Sequence, residues 1–404
     1  MEAKLGPLFV VDPTSPWHRQ VVQLTLSDDR LAAIDPCKEP TQVYLLPGLV
    51  DLQAWTSYPQ KPHETPQQLA KLAQQSGFTD VLLGGWEGWY EPEILAQLRQ
   101  AIEESAVRFH LLASWAQPDG TLAPIESLRA EGAFGWALPP LWPVPWRSLY
   151  QALPYLRYLG GPIFLLPHWE GLPGEVGVPE AEELALTGWQ GLPPETELLA
   201  LHLIAALHRR EGGSVVVGPL TTSQGYQLST SLSLPCFTAA TYLIASAEKL
   251  LTYDAFWKVH PPLRPASDQA ILQAATLQRE WVGLASGHIQ LPLEEKQCEW
   301  ATAKPGQATW PYALPLVWEA LKTRYPEKWG LSRLVEVWAH RPRRLFGLPP
   351  ARVEVGTPLA FTLVRLYETP QPLPPPWEDF TSTLEVVGLL TRSSDADSLQ
   401  SQIL

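Results

Sequence analysis

The 404-residue sequence contains no asparagine, one methionine and only three cysteines. Cys37, Cys236 and Cys298 are widely spaced and form no CxxC pair, which argues against a disulfide framework and against a thiolate zinc site. Asn and Met are chemically labile, and Pro lowers the entropy of the unfolded chain. The lack of Asn and Met, together with 42 prolines, therefore indicates a heat-adapted, thermophilic protein.

Long apolar runs and long basic runs are missing as well. No apolar run reaches the roughly 18 residues that a membrane span needs, and residues 1–6 lack the apolar core of a signal peptide. The 29 Lys and Arg residues are outnumbered by 42 Asp and Glu residues, so the net charge is −13, and no basic run could follow a phosphate backbone. We therefore expect a cytoplasmic protein that binds neither membrane nor nucleic acid.

The sequence is rich in apolar residues and in tryptophan. Hydrophobic residues make up 45% of the chain and charged residues 18%, whereas a disordered chain would be poorer in apolar residues. Tryptophan is frequent, with 18 residues. The length is that of one large domain or two, so we expect a folded protein with a sizeable core.

Two kinds of segment alternate along the chain. Short β-rich runs occupy residues 1–46 and return only in residues 351–392, which predicts a small β-sandwich domain formed from both termini. Between them, residues 47–350 alternate helix-length segments with near-continuous apolar strands, as a parallel sheet buried on both faces requires. These strands are predicted at 48–55, 79–85, 108–115, 133–138, 162–166, 214–220, 236–244 and 281–286.

This alternation predicts an α/β fold, a (β/α)8 TIM barrel that carries the sandwich. Thr65, Pro66 and Gln68 predict the start of a helix that ends at Gly77. Further helices are predicted over 195–210 and 312–324 and from residue 267. Residues 169–195 are too long for an ordinary connection and predict a rim loop or lid, and residues 393–404 predict a polar, mobile tail.

The active site of such a barrel lies at the C-terminal ends of its strands, where this chain has few groups that could activate water. Hydrolysis there needs a metal or a pair of titratable groups. Near these ends the candidates are Asp51, His63, His168 and His288. A site rearranged around Asp51, His168 and His288 is one interpretation. A structural role is the other, because a lone buried His is more often a hydrogen-bonded core residue.

Tryptophan stands at several predicted strand ends. Strand alternation places Asp51 on one face with Gln53 and Trp55, neither of which is a strong metal ligand. Trp86 and Trp136 follow the same trend on later strands. An indole brings a large apolar volume, so these residues fill the core in the simpler interpretation and stack on a planar ligand in the other.

Four segments carry a resemblance to a known family. They are residues 46–52 (LPGLVDL), 258–264 (KVHPPLR), 284–296 (LASGHIQLPLEEK) and 343–358 (RRLFGLPPARVEVGTP). With these segments the chain resembles a dihydroorotase, the cyclic amidohydrolase of pyrimidine biosynthesis, over nearly its whole length. The resemblance implies an amidohydrolase-superfamily barrel with a sandwich made from both termini.

The positions that the resemblance assigns to ligands and substrate contacts carry other residues. The family's His-x-His on strand one is Gln53-Ala54-Trp55, and strand four, around Trp136, has no bridging carboxylate. Among the strand-eight residues, only His288 keeps the family's residue type. The other replaced positions are Ser57 for an Arg, Trp86 and His260 for two Asn, Leu166 (or His168 after a two-residue shift) and Pro219 for two His, Gly287 for the catalytic Asp and Leu291 for a further His.

These replacements predict that the family's zinc site and its catalytic Asp are lost, because a metal without ligands cannot lower the pKa of water. We expect no cofactor. Some relatives of dihydroorotase are degenerate partners of aspartate carbamoyltransferase, so the resemblance implies a pseudoenzyme in a homo-oligomer or a hetero-complex with that enzyme. The alternatives are an active cyclic amidohydrolase with a rearranged site and a small-molecule sensor with a Trp-lined pocket.

Overall fold

The computed structural model describes residues 2–27, 29–59, 65–212, 214–278, 281–391 and 395–403, so the candidate His63 lies outside the described residues. No helix in these ranges is long and apolar enough to cross a membrane. The strands are β1 Glu2–Val10, β2 Val21–Ser27, β3 Arg30–Pro36, β4 Val43–Pro47, β5 Leu49–Thr56, β6 Phe78–Gly85, β7 Arg108–Ala113, β8 Gly135–Ala137, β9 Ile163–Leu165, β10 Val215–Val217, β11 Thr238–Ala239, β12 Leu284–Ala285, β13 His288–Ile289, β14 Ala360–Pro372 and β15 Thr381–Thr391.

The helices lie mainly between the barrel strands. The predicted helix start at Thr65 is confirmed: the Thr65 side chain accepts a hydrogen bond from the Gln68 backbone, and the Gln68 side chain accepts one from the Thr65 backbone. The helices are α1 Pro66–Gln75, α2 Pro92–Ile102, α3 Ile125–Ala130, α4 Trp146–Leu159, α5 Glu195–Glu211, α6 Ser223–Ser231, α7 Ala240–Ile244, α8 Ala266–Gln278, α9 Leu293–Lys296, α10 Ala313–Arg324, α11 Leu331–Val335, α12 Arg341–Phe346 and α13 Ala396–Ile403.

Strands β5 to β13 form a curled parallel sheet. Strands β5 to β10 are hydrogen-bonded neighbours in chain order. The eighth strand, predicted at 281–286, is reduced to β12, which pairs with β11, and a further short strand beyond the predicted bounds, β13, pairs with β5. A bridge between Val217 and Cys236 joins β10 to the segment before β11. The α/β fold with its curled parallel sheet is therefore confirmed, and the pairings run around a ring like that of a TIM barrel.

The prediction of a seventh strand is largely wrong. Residues 236–244 form only the two-residue strand β11, which is followed at once by helix α7. Periodicity cannot distinguish a short, continuously apolar strand from a buried helix. The chain therefore turns into a helix at Ala240, inside the segment that was predicted to be extended.

The two ends of the chain meet in one six-stranded sheet with the order β15-β14-β4-β1-β2-β3. One core of this sheet includes Leu5, Leu24 and Phe361, all of which are fully buried. The predicted two-layer sandwich is not confirmed, because the described strands of both termini belong to this single sheet.

The predicted polar tail instead contains helix α13. Its Leu399 and Ile403 are buried with the core of the terminal sheet. The side chain of Gln400 donates a hydrogen bond to the Gly6 carbonyl (2.7 Å) and accepts one from the Gly6 backbone N–H (2.9 Å). The apolar face of α13 was missed because most of its residues are polar.

A buried ion network lies at the N-terminal ends of the first barrel strands, here called the lower end of the barrel. The carboxylate of Asp80 accepts hydrogen bonds from Arg108 Nε and Nη2 (2.8 Å each) and from Arg343 Nη2 (2.6 Å). His110 Nε2 lies 3.0 Å from the same carboxylate. Burial opposes ionisation, yet the charge of Arg343 and these hydrogen bonds hold the pKa of Asp80 well below its usual range.

Candidate functional site

The C-terminal ends of the barrel strands surround a pocket of only about 40 Å³. Sites for small organic ligands have roughly 300–1,000 Å³, whereas one water molecule needs roughly 10–15 Å³ of such space. The pocket therefore has room for a few water molecules and not for a six-membered ring. Its apolar wall includes Trp55, Leu138, Phe164 and Ile289.

The residues that the sequence placed at a pocket divide into two groups. Ser57, Trp86, Trp136 and Leu291 are buried but are not among the described residues that line the pocket. The others do line it, and they are Gln53, Trp55, Leu166, Pro219, His260 and Gly287.

The position of Trp136 differs most clearly from its prediction. Its indole Nε1 donates a hydrogen bond to the carbonyl of Gly160 (3.1 Å), which is the residue that ends helix α4. The side chain therefore contacts the helix layer, and the expectation that Trp136 lines the pocket is wrong.

Trp55 fills much of the space beside strand β6. A Cβ atom built on Gly84 would lie 2.5 Å from the Trp55 ring, closer than any real side chain could stay. Glycine at residue 84 thus leaves the space that the indole occupies beside the neighbouring strand. The ring occupies the position that the resemblance assigns to the second His of His-x-His.

Asp51 and His288 are joined by Trp310. The Asp51 carboxylate accepts hydrogen bonds from the backbone N–H groups of Ser286 (2.7 Å) and Gln53 (3.2 Å) and from the Trp310 indole (2.9 Å). The backbone N–H of Trp310 donates to His288 Nδ1 (3.0 Å), and the two rings stack with centroids 4.5 Å apart. None of Asp51, His288 and Trp310 is among the described residues that line the pocket.

Asp51, which was expected on one face with Gln53 and Trp55, does not reach the pocket with them. The pairing of β5 with β6 is irregular between Asp51 and Ala54, which breaks the strict alternation of side chains. As a result, Gln53 and Trp55 reach the pocket, whereas Asp51 is fully buried in its own hydrogen-bond network.

Burial controls the charge of both groups in this network. It raises the pKa of Asp51 to about 6, although the hydrogen bonds from Ser286, Gln53 and Trp310 oppose the shift. Burial also lowers the pKa of His288 to about 3, so the imidazole is neutral at pH 7. Because Nδ1 accepts a hydrogen bond, the proton lies on Nε2, which has no partner in the described structure.

His168 lies apart from this network, against His260. The two rings meet edge to face, with centroids 4.8 Å apart. Burial lowers the pKa of His168 to about 4 and that of His260 to about 3, and the charge of Arg264 adds to both shifts. Both imidazoles are therefore neutral at pH 7, and buried His260 Nδ1 has no partner within the described ranges.

These positions correct the idea of a site rearranged around Asp51, His168 and His288. The first and third are bound to Trp310, whereas His168 contacts His260. Throughout the described part of the chain, no three His, Cys, Asp or Glu side chains are arranged to hold a metal ion. The residues present at the barrel mouth thus do not fit a zinc ion, and no catalytic step through one can be derived.

A buried cluster that the sequence did not reveal lies next to the pocket. Glu197 accepts hydrogen bonds from the backbone N–H and hydroxyl groups of both Thr221 and Thr222. Arg264 donates to the Thr221 hydroxyl (3.3 Å) and to the Leu192 carbonyl (2.7 Å). No local pattern could have revealed the cluster, because its hydrogen bonds join residues that are 24 to 72 positions apart.

The segment predicted to be a lid, residues 169–195, is bound to this cluster through the Leu192 carbonyl. Besides the bond from Arg264 to Leu192, the ring of Trp189 stacks on Trp300 with centroids 4.9 Å apart. Trp189 also contacts Tyr253 at 4.9 Å. The loop is thus anchored by polar and aromatic contacts at once.

Known proteins share both sequence and fold with this chain, although no protein-family model matches it. A dihydroorotase of Thermus aquaticus is 28% identical over 353 residues, which are 82% of this chain and 81% of that protein. A dihydroorotase of Solibacter usitatus is 23% identical over 370 residues, which are 86% of this chain and 85% of that protein. The chain therefore has homologues among the dihydroorotases.

Solved structures show the same fold at lower identity. The L-hydantoinase (dihydropyrimidinase) of Arthrobacter aurescens superimposes with a TM-score of 0.77 at 17% identity, over 97% of this chain and 95% of that one. The dihydroorotase of Saccharomyces cerevisiae superimposes with a TM-score of 0.63 at 10% identity, over 85% of this chain and 98% of that one. The fold of this chain is therefore that of cyclic amidohydrolases.

Proposed function

We propose that this chain is a catalytically silent, dihydroorotase-like pseudoenzyme of the cytoplasm, which serves as a structural partner of aspartate carbamoyltransferase. The observation that carries the proposal is the barrel mouth. Its pocket of about 40 Å³ is too small for a dihydroorotate ring, and Trp55 occupies the side where a ligand would be needed.

The protonation states at the mouth support catalytic silence. A general base works best with a pKa near the operating pH, but the imidazoles of His168, His260 and His288 all have a pKa of about 4 or below. Asp51 has a pKa of about 6, yet each of its oxygens is bound to an N–H donor, and it does not line the pocket. None of these four side chains is therefore poised to activate a water molecule there.

The preserved fold of the chain supports the partner role. The fold of a cyclic amidohydrolase is present over 97% of the chain, although the mouth is filled. A folded protein without an active site can still offer its surface to another subunit. The sequence relatives are dihydroorotases, whose reaction follows that of aspartate carbamoyltransferase, and this makes the carbamoyltransferase the first partner to test.

The alternative function, a sensor that binds a planar ligand, agrees less well with the small pocket at the barrel mouth. Such a ligand would need a pocket several times larger than about 40 Å³, and the lid is held down by Arg264 and Trp300. No specific contact in the described structure favours this alternative.

Two measurements test the proposal. Protein produced with added zinc should contain far less than one zinc per chain by elemental analysis, with an active dihydroorotase prepared in parallel as the control. The chain should also elute in one complex with the aspartate carbamoyltransferase of its own organism on size exclusion. Stoichiometric zinc would contradict catalytic silence, and separate elution at micromolar concentrations would contradict the partnership.

A further inference from the structure

A groove of about 720 Å³ lies between the terminal sheet and helices α10 and α11. Sites for small organic ligands have roughly 300–1,000 Å³, so this groove has room for a molecule that the pocket of about 40 Å³ at the barrel mouth excludes. The described residues that line the groove include none of those that line the mouth pocket. The groove is therefore a separate place in the fold, which the proposed function does not use.

Aromatic rings line this groove from both sides. Phe9 of β1 and Tyr44 of β4, which are both half-buried, belong to the terminal sheet, and their rings meet edge to face with centroids 5.4 Å apart. Trp318 of α10 and Trp329, which precedes α11, line the groove from the helices, with ring centroids 6.4 Å apart. Apolar and aromatic walls with a few polar groups are typical of sites for organic ligands. A flat ring can stack on such walls.

Two polar atoms of the groove residues have no hydrogen-bond partner within the described ranges. They are the indole Nε1 of Trp329, a residue that is only 2% exposed, and Nδ1 of His18. Buried polar atoms nearly always have a partner in native proteins. An indole N–H can only donate, so an oxygen atom of a ligand would supply the acceptor that Trp329 lacks. Burial and the charge of Arg19 lower the pKa of His18, so its imidazole adds little charge at pH 7.

Basic side chains stand at the groove as well. Exposed Arg19 and Lys328 line it, and neither side chain makes a hydrogen bond or an ion pair among the residues that the structure describes. Lys322 also lines the groove and donates one hydrogen bond to the Pro326 carbonyl (2.8 Å). Arg333 is a further lining residue, but it already interacts within the chain. Arg19 and Lys328 are therefore the cations that a ligand can reach most readily.

Acidic residues offset this positive charge only in part. The lining carboxylates of the described chain are Glu327 and Glu336, and Glu336 Oε1 is bound by the Arg344 guanidinium (2.7 Å). On a chain whose net charge is −13, the groove thus combines an excess of basic residues with aromatic walls. Lys and Arg side chains bind phosphate and carboxylate groups through charge-assisted hydrogen bonds. The charge of the groove consequently favours an anion.

We infer that this groove binds an organic anion with a flat ring and a phosphate or carboxylate group, as in a nucleoside monophosphate or an aromatic carboxylic acid. The ring packs against Phe9 and Tyr44, and the anionic group is bound by Arg19 and Lys328. An oxygen atom of the ligand accepts the hydrogen bond of the Trp329 indole. The site is independent of the proposed partnership, because no residue of it is needed for that role.

Calorimetric titration of the full chain with four compounds tests this inference. AMP and benzoate each carry a flat ring and an anionic group, whereas adenosine lacks the phosphate and inorganic phosphate lacks the ring. AMP, benzoate or both should bind with a Kd below about 1 mM, and adenosine and inorganic phosphate should bind at least about tenfold more weakly. Binding of AMP identifies phosphate as the anionic group, and binding of benzoate alone identifies carboxylate.

Two double variants locate the bound anion. Arg19→Gln with Lys328→Gln removes the two cations of the groove and should weaken binding about tenfold or more. The matched control, Lys38→Gln with Lys71→Gln, removes two exposed lysines that lie outside the groove and changes the net charge equally. It should change the Kd less than about twofold, because salt screens distant charges. All four substituted side chains are exposed, so both variants should unfold at the wild-type temperature.

Three results would overturn the inference. The first is no binding of AMP or benzoate at concentrations up to about 1 mM. The second is equally tight binding of adenosine or inorganic phosphate, which would show that one of the two groups is not recognised. The third is an equal Kd for the groove variant and the wild type, which would place the anion elsewhere on the chain. None of these results bears on the complex with the carbamoyltransferase, so the proposed function is tested separately.

Discussion

At the lower end of the barrel, the ionised carboxylate of Asp80 is surrounded by Arg108, Arg343 and His110, and each of its oxygens accepts more than one hydrogen bond. At the barrel mouth, His260 and His288 are neutral, and each keeps one buried ring nitrogen without a partner in the described structure. One end of the barrel thus surrounds a carboxylate with cations, whereas the histidines at the other end are uncharged and partly unsatisfied.

The two ends of such a barrel have different roles. In barrels of this class the lower end contributes to stability and the C-terminal ends of the strands carry activity. A buried charge is tolerated when its partners are in place, as they are around Asp80. At the mouth, the histidines are neutral, and Asp51 lies in a hydrogen-bond network that does not line the pocket.

The largest effect should follow from removal of the carboxylate at the lower end. Asp80→Ala leaves Arg343 buried without its counter-ion, and breaking such a pair costs about 3–5 kcal/mol. Urea or guanidinium unfolding measures the loss. As a control, Arg365→Met removes a more exposed pair with Glu385 and should cost less than about 1 kcal/mol. Equal costs for the two variants would show that the lower network does not stabilise the fold.

A pH-dependent effect is expected at Asp51. Its pKa is near 3.8 in the unfolded chain and about 6 in the folded one, so the folded state binds the proton more tightly. This favours folding at low pH, and the advantage is lost as pH rises from about 4 to 6. The shift corresponds to roughly 3 kcal/mol.

Asp51→Asn removes this titration. The free energy of unfolding of the variant relative to wild type should therefore rise by roughly 3 kcal/mol between pH 4 and pH 7. Denaturant unfolding at several pH values measures the difference. A difference that stays constant with pH would show that Asp51 is an ordinary carboxylate.

A smaller effect is expected at Trp310. Trp310→Phe keeps an aromatic ring against His288 but removes the indole N–H that Asp51 Oδ2 accepts, at a cost of about 1–3 kcal/mol. The matched control is Trp377→Phe, since that indole is also buried but donates a longer bond of 3.4 Å to the neutral Ala308 carbonyl. If the two variants lose equal stability at pH 7, the hydrogen bond to Asp51 stabilises the fold no more than the longer bond to Ala308.

The smallest expected effect comes from restoring two family residues at the mouth. The double variant Gln53→His, Trp55→His recreates His-x-His, but the remaining ligand positions still carry residues such as Pro219 and Gly287. We expect weak zinc binding by calorimetry and no hydrolysis of dihydroorotate. Hydrolysis by this variant would mean that the rest of the site is nearly intact.

Much of the barrel could be predicted because its evidence is local. Strand β6 is continuously apolar except for Thr79 and Asp80, and the cap and the end signal of helix α1 both lie between Thr65 and Gly77. The apolar run that forms helix α7 predicts a strand, because a short buried helix and a short buried strand are both continuously apolar. The tail helix α13 was missed because its two buried residues, Leu399 and Ile403, are separated by polar ones.

The site was predicted less completely, because its contacts join distant parts of the chain. The loss of ligands at Gln53, Trp55 and Gly287 follows from the family resemblance alone. The hydrogen bond from Trp310 to Asp51 joins residues that are 259 positions apart, and no sequence pattern around Trp310 predicts it. The irregular pairing at Asp51 was equally hidden, since alternation is the rule for strands and its interruption depends on the neighbouring strand.

Catalytic silence of the barrel mouth is the proposal on which the partner role depends. Its most direct test is the rate of dihydroorotate hydrolysis by the purified wild-type protein supplied with zinc, measured before and after chelation. We expect a rate equal to that of buffer in both samples. A zinc-dependent rate that chelation abolishes and added zinc restores would contradict it.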